Sequence, residues 1–185
     1  MDTYKTCCCI GHRKIRITDE LKREVHDYVE SLIVNENVQA FLFGSNSEFD
    51  YFCNDIIKEL KEKYPFIKRV GYTCLNEAVM LESDRVKWEK VLSDAYKHEV
   101  HLFCVDEEHS YRTRYVSGKA AYVERNQAMI DDSEYCLFYY NENYAPPKRK
   151  THKNSVIYYQ PKSGTAIAIK YAKRKNKIIK NFYKE

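Results

Sequence analysis

The sequence predicts a doubly wound α/β domain, in which a mostly parallel sheet carries helices on both faces. Short apolar runs, typical of strands that are buried on both faces, alternate along the chain with segments whose apolar residues recur at helical spacing. No internal repeat and no linker divides the 185 residues, and this length suits one compact domain. We therefore expect a single domain over residues 1–185.

The first half of the chain sets this pattern. Strands are predicted over residues 5–10 and 38–43, and the segment between them is apolar on one helical side, with Thr18 placed to cap the start of the helix. A second apolar stripe begins at Phe49, and Pro65 ends that helix. The order strand, helix, strand, helix indicates a parallel sheet.

The second half continues the alternation with more polar and less regular segments. Further strands are predicted at Ile67–Tyr72, Val100–Val105, Tyr135–Tyr140, Val156–Tyr159 and Lys177–Phe182. Helices are predicted over 75–97, where the pattern is irregular, over Gly118–Ile130 and over Thr165–Lys175. The segment Glu142–Asn154 contains two prolines and is predicted to be a mobile loop.

The charge is distributed unevenly along the chain. The net charge of +4 combines +11 over residues 146–185 with −7 over residues 1–145. The basic end is suited to phosphates or nucleic acid, and a solvated helix face remains the alternative. The sequence has no run of about 18 apolar residues and no signal-peptide pattern, so we expect a cytoplasmic protein without membrane association.

Three adjacent cysteines, Cys7 to Cys9, raise the question of a metal or redox site. The seven cysteines of the chain lack the paired spacing of a metal site and the rhythm of a disulfide framework. In a strand, Cys7 and Cys9 point one way and Cys8 the other, which prevents the three from surrounding one ion. We expect reduced thiols in a buried strand, with no metal and no cofactor.

Three loops carry the residues that could bind a ligand. In open parallel sheets the ligand cleft lies beyond the carboxyl ends of the strands, where loops lead into helices with unpaired N–H groups. Glycine permits close approach of the backbone, and a helix start favours an anion, so these are predicted phosphate-binding loops. The candidate ligand-binding residues in them are Gly11, His12, Arg13, Gly44, Ser45, Asn46, Asp50, Ser163, Gly164 and Thr165.

The predicted helix before the strand YCLFYY adds Arg125 and Asn126 to the candidates. Both lie on or beside the stripe, shared with Tyr122 and Met129, that should face the sheet. Because arginine is rarely buried without a partner, either an acidic side chain such as Asp50 or an anionic group of a ligand must meet it. For His12, contact with a ligand and pairing with a backbone carbonyl in the turn both remain open.

Four segments carry a resemblance to a known superfamily. They are CCCIGHRK, FLFGSNSEFDYFCNDIIKELKEKYP, RNQAMIDDSEYCLFYY and SGTAIAIKYAKRKNKII, in matching order and spacing along nearly the whole chain. The chain resembles the SLOG superfamily of Rossmann-like nucleotide-binding domains, and within it the small YpsA-like bacterial proteins. The resemblance implies a Rossmann-like fold, a bacterial or phage origin and a nucleotide-derived ligand. Residues 75–115 are the least diagnostic part.

The same superfamily contains LOG-type phosphoribohydrolases, which cleave nucleoside monophosphates at the N-glycosidic bond, and SMF/DprA proteins, which bind single-stranded DNA. LOG-type enzymes carry an E-R-K-x-x-M helix and a G-T-x-E-E turn. The matching residues here are Glu124, Arg125, Asn126, Met129, Gly164 and Thr165, with Asn126 in place of lysine. Ile167 and Ala168 stand where those enzymes place glutamates, so the carboxylate that such cleavage needs is missing from this turn.

Three functions follow from these observations. The favoured one is binding of a nucleotide or nucleotide-derived signalling ligand by a sensor, regulator or sequestering protein, whose partner is that small molecule. The second is an N-glycosidic hydrolase or transferase acting on nucleotides, with Asp50, Glu48 or Glu124 as catalytic candidates. The third and least favoured is binding of single-stranded nucleic acid by the basic end and its nearby tyrosines. A homo-oligomer remains open.

Overall fold

The computed structural model describes residues 4–44, 47–74, 77–96, 102–111, 119–146, 148–150, 158–159 and 162–184. Within them the elements are β1 (Lys5–Gly11), α1 (Asp19–Glu36), β2 (Val38–Phe43), α2 (Glu48–Lys63), β3 (Lys68–Thr73), β4 (Met80–Leu81), a 3₁₀ turn (Glu82–Asp84), α3 (Arg85–Tyr96), β5 (Cys104–Val105), β6 (Glu107–Ser110), α4 (Lys119–Asp131), β7 (Tyr135–Tyr139), β8 (Arg149–Lys150), β9 (Tyr158–Tyr159), α5 (Gly164–Arg174) and β10 (Ile178–Asn181).

Six of these strands form one parallel sheet in the order β10-β7-β1-β2-β3-β6. The order runs outward from β1 in both directions, so the chain reverses its direction of winding between β1 and β7. Such a switch point opens a crevice outside the carboxyl ends of the two strands. The predicted doubly wound, mostly parallel sheet is confirmed.

Helices cover both faces of the sheet. The apolar sides of α1 and α2 pack in one buried cluster with Cys7 and Cys9, and those of α4 and α5 pack in another with Cys8. The alternation of the three cysteines across β1 follows from the side-chain period of a strand. All seven cysteines are buried and free, as small apolar side chains of the core.

The starts of α1 and α2 are fixed by their own side chains. Thr18 Oγ1 accepts the Leu21 N–H at 3.1 Å, as predicted for the cap of α1. Ser47 Oγ accepts the Asp50 N–H at 3.0 Å while Asp50 Oδ2 accepts the Ser47 N–H at 3.2 Å, which forms a capping box at α2. The second helix ends at Lys63, two residues before Pro65.

The prediction is less accurate between β3 and α4. Within the predicted strand Val100–Val105, only Cys104–Val105 forms a strand among the described residues, and it pairs with β4 outside the main sheet. The edge of the main sheet is instead Glu107–Ser110, which is polar and exposed and therefore lacks the apolar signature of a buried strand. The region 75–97 contains a short strand and a 3₁₀ turn before its helix.

The other short strands lie near the predicted mobile loop. Arg149–Lys150 pairs antiparallel with Tyr158–Tyr159, so part of Glu142–Asn154 has regular backbone structure. Residues 147 and 151–157 of this region lie outside the described residues. Across the described part of the chain, no helix is both long enough and apolar enough to cross a membrane.

Candidate functional site

The site is built around the carboxyl ends of β1 and β7, at the switch point. The His12 N–H donates to the Tyr139 carbonyl at 3.3 Å, which continues the pairing of the two strands beyond Gly11. On the other side of β1, Cys9 stands beside Phe43 in the register with β2, so Gly44 follows at the same edge. Two of the three predicted loops therefore begin side by side.

The start of α5 comes to the same edge through a side-chain hydrogen bond. Thr165 Oγ1 donates to the Gly11 carbonyl at 3.0 Å. The hydroxyl of Ser163 caps the helix by accepting the Ala166 N–H at 3.4 Å, and the N–H groups of the first turn have no partner within the helix. A Cβ at Gly164 would meet no atom within 4 Å, so this turn borders open space.

Steric crowding explains why glycine is found at the ends of β1 and β2. A Cβ on Gly11 would lie 2.3 Å from the Cβ of Phe49, which belongs to the core. A Cβ on Gly44 would lie 2.7 Å from Nη2 of Arg125, so the guanidinium packs directly against the backbone at the end of β2. Of the three glycines, Gly164 is the one that faces free space.

Arg125 is 4% exposed and meets an acidic partner from the loop after β3. Its Nη1 donates to Oε2 of Glu77 at 3.0 Å, and the same oxygen accepts the Cys74 N–H at 2.8 Å. Nε and Nη2 donate to Oδ1 of Asn126 at 3.4 and 3.3 Å. The acidic partner of Arg125 is therefore Glu77 and not Asp50, which caps its own helix.

Glu77 is the residue that sequence reasoning missed. The sequence pattern of residues 75–97 predicts one irregular helix, which leaves no separate turn after β3. The useful signal was the position of Glu77 just beyond a predicted parallel strand, since every such strand delivers its loop to the same edge of the sheet. The Glu77 side chain is 15% exposed beside an arginine that is almost fully buried.

Asp50 and Glu48, two of the catalytic candidates, hold the backbone at the start of α2. Asp50 is buried and belongs to the capping box with Ser47. Glu48 accepts the Ile15 N–H at 2.9 Å and pairs with Nζ of Lys14 at 2.5 Å. Its bond to Lys14 holds the pKa of Glu48 below the usual value of a glutamate. Glu48 thereby ties the loop after β1 to α2.

His12 joins the loop after β1 to the loop after β7. Its Nε2 accepts the Asn141 N–H at 3.0 Å, and the side chain is 4% exposed. Burial lowers the pKa of His12 below 6.5, which favours the neutral ring that this acceptor role requires. His12 thus pairs with a backbone N–H, whereas the sequence suggested a backbone carbonyl as its partner in the turn. The other ring nitrogen, Nδ1, makes no hydrogen bond to a described residue.

The remaining candidates are distributed around this edge. Arg13 is exposed, and Glu124 lies half-buried on α4. Ser45 and Asn46 lie outside the described residues. Over the described residues, no group of His, Cys, Asp and Glu side chains is arranged to hold a metal ion. The residues that the fold brings to one edge are Gly11, His12, Gly44, Arg125, Asn126, Ser163, Gly164 and Thr165.

The parallel sheet, its helical layers and the loops at the switch point define a Rossmann-like α/β domain. The YpsA family model, described as the YspA SLOG family, matches residues 9–174. The chain belongs to this family, and the match includes every loop of the site. This confirms the resemblance that the sequence segments indicated.

One solved structure extends the comparison at the level of the fold. The chain is similar to DNA processing protein A from Helicobacter pylori, with 16% identity and a TM-score of 0.52. The similarity covers 96% of this chain and 65% of that protein, so the chain spans less than two thirds of its length. That structure concerns a single-stranded DNA binding mode. No curated protein matches the sequence at a significant level.

Proposed function

We propose that the domain binds a nucleotide or nucleotide-derived anion at the edge formed by Gly11, Gly44 and the start of α5. The observation that carries this proposal is the hydrogen bond from Thr165 to the Gly11 carbonyl, which joins a helix start to the switch point of the sheet. Membership of a SLOG family supports a nucleotide as the source of the anion. The protein acts as a sensor, regulator or sequestering protein for this ligand.

The phosphate is bound by the first turn of α5. The N–H groups of Gly164 and Thr165 donate no hydrogen bond to a described residue and supply the donors, and the positive end of the helix dipole lies behind them. Open space at Gly164 gives a phosphate oxygen access to the backbone. Arg125 contributes positive charge beside Gly44, where Glu77 partly neutralises it.

The roles of the described carboxylates favour binding of the ligand without its cleavage. Asp50 and Glu48 are engaged in fixing the start of α2, and Ile167 and Ala168 occupy the glutamate positions of LOG-type enzymes. Incubation with nucleoside monophosphates, followed by chromatography, should yield no free base. Release of base at a rate proportional to protein concentration would instead establish the N-glycosidic hydrolase or transferase.

The substitution Gly164→Val tests where the phosphate binds. Its Cβ enters open space, and valine costs no more than glycine in a helix, so the free energy of unfolding should change by less than about 1 kcal/mol. The added side chain occupies the space for the phosphate, so the affinity for ribose 5-phosphate, measured by calorimetry, should fall at least tenfold, roughly 1.4 kcal/mol. Unchanged affinity would contradict binding at this turn.

Single-stranded nucleic acid is the second candidate ligand, and the charge of α5 and β10 favours it. Residues 162–184 contain eight Lys or Arg and no acid, and Lys170, Lys173 and Arg174 form no ion pair with a described residue. The structurally similar DNA processing protein A binds single-stranded DNA. For this ligand, replacing the three residues by alanine should reduce the magnitude of the slope of log K, the binding constant, against log salt concentration by about 2.

A further inference from the structure

The loop that follows β7 presents a tyrosine at the switch point. Asn141 Oδ1 accepts the Asn143 N–H at 2.8 Å, and the Asn141 carbonyl accepts the Tyr144 N–H at 3.2 Å, so the turn is closed by its own hydrogen bonds. Tyr144 is 40% exposed although its ring packs on another ring. A large, ordered aromatic side chain thus remains accessible at the edge of the candidate cleft.

The support beneath Tyr144 is the buried, neutral His12. The two ring centroids lie 4.3 Å apart, with an interplanar angle of 38°, and the Tyr140 ring lies 5.9 Å from the same imidazole. Nε2 of His12 holds the loop through the Asn141 N–H. The amide of Asn181 on β10 fixes the loop from the other side, because it donates to the Tyr140 carbonyl and accepts the Tyr140 N–H, each at 2.9 Å.

This aromatic platform, defined here as Tyr144 with His12 beneath it, lies at the same strand end as the first turn of α5, the proposed phosphate turn. His12 directly follows Gly11, whose carbonyl accepts the Thr165 hydroxyl. Consecutive Cα atoms lie about 3.8 Å apart, so the platform begins one residue from the contact that holds the start of α5. A phosphate group and an aromatic base, separated by one sugar, match this succession of a donor turn and a flat ring.

From this juxtaposition we propose that the aromatic platform stacks the base of the bound nucleotide, with Tyr144 as its contact surface. The proposal rests on the proposed function, because the phosphate turn places the other end of the same ligand. Stacking on a tyrosine tolerates any base, since every base has a π-face. The site therefore takes nucleoside monophosphates as a class and prefers them to sugar phosphates, while the identity of the base is selected elsewhere.

The test compares two kinds of ligand that share a phosphate. Calorimetric titrations with the four ribonucleoside monophosphates and with ribose 5-phosphate are run on the full chain and on Tyr144→Ala. We expect at least one monophosphate to bind the unmodified chain about 5- to 150-fold more tightly than ribose 5-phosphate, the range for stacking one base. Tyr144→Ala should abolish this preference and leave the affinity for ribose 5-phosphate unchanged.

Two further variants isolate the ring as the cause. Tyr144→Phe retains the aromatic face and should retain the preference. Tyr4→Ala removes a comparably exposed tyrosine, 49% exposed, near the opposite end of β1 and should also retain it. Equal affinity for the monophosphates and ribose 5-phosphate, or a preference that survives in Tyr144→Ala, would contradict base stacking on the platform. In either case, binding of ribose 5-phosphate would still support the phosphate site. No binding of any of the five compounds overturns both.

Discussion

The guanidinium of Arg125 packs against Gly44 and forms an ion pair with the Glu77 carboxylate, and both side chains are largely buried. An anionic ligand at this edge would compete with Glu77 for the same positive charge. The contact between Arg125 and Glu77 therefore sets how much of that charge is available to a phosphate. At the residue scale, the proposed function depends on this competition.

The substitution Glu77→Gln should reveal this competition for the positive charge of Arg125. Loss of the carboxylate leaves a buried arginine without its counter-charge, which should lower the free energy of unfolding by about 3 kcal/mol. Inorganic phosphate should then recover part of that loss, because it supplies the missing negative charge. Thermal unfolding with and without phosphate measures both effects, and the phosphate-dependent gain should exceed that of the unmodified chain.

A matched control is available at Arg69, which is 1% exposed and pairs with Asp106 at 3.1 Å. Asp106→Asn removes one of the two acidic partners of this buried arginine, the other being Glu82 at 3.0 Å, and should reduce stability without any specific recovery by phosphate, because Arg69 lies away from the proposed phosphate turn. If phosphate stabilises Asp106→Asn as much as Glu77→Gln, the anion acts through general charge effects, and the role assigned to Arg125 is wrong.

The sequence identified Arg125 as a residue that needed a partner, but it did not identify the partner. Helical spacing placed Arg125 towards the sheet because that spacing depends only on local geometry. Glu77 lies 48 positions away in sequence, in a turn with little periodicity, and its approach depends on how β3 and α4 pack together. Contacts of this kind follow from the tertiary structure and leave no local signal.

At the scale of elements, the position of α5 is the key feature of the cleft. The helix begins at Gly164, its dipole points at the switch point, and Thr165 anchors its first turn to the end of β1. Because Thr165 is buried, its hydroxyl takes part in both packing and positioning.

The substitution Thr165→Val removes this anchor with little change of shape. We expect a loss of about 1 kcal/mol in the free energy of unfolding, the usual value of one hydrogen bond, and weaker binding of ribose 5-phosphate because the helix start is no longer fixed. Thr73→Val is the control: Thr73 is also buried, at the end of β3, and its hydroxyl donates to Glu108 at 2.8 Å. Equal losses of affinity in the two variants would contradict a specific role for α5.

The elements also show where pattern recognition succeeds. The helices α1 and α2 were predicted closely because their apolar stripes and caps are encoded locally, by residues such as Thr18 and Phe49. The edge strand Glu107–Ser110 was missed because an exposed edge strand with two glutamates has no buried face to produce an apolar run. The main sheet was therefore predictable in its centre and poorly predictable at this edge.

At the scale of the whole molecule, the basic end of the chain starts at the switch point and runs away from it along α5. Residues 162–184 form α5 and β10, and β10 pairs with β7 beside β1. The charged residues of α5, Lys170, Lys173 and Arg174, lie in the second half of the helix, whereas its first turn, the proposed phosphate turn, carries none. A small anionic ligand at the start of α5 and a nucleic-acid backbone along its basic second half would therefore use different parts of this helix.

The most direct test of the central claim follows the backbone amides of the glycines by NMR during titration with ribose 5-phosphate. The chain has five glycines, so their resonances are few and can be assigned. If the loops form one phosphate site, the amides of Gly11, Gly44 and Gly164 should shift together with a single dissociation constant. Gly71, within β3, should remain unchanged and serves as the internal control. An unchanged Gly164, or shifts that saturate at different concentrations for the three, would contradict a single site at this edge.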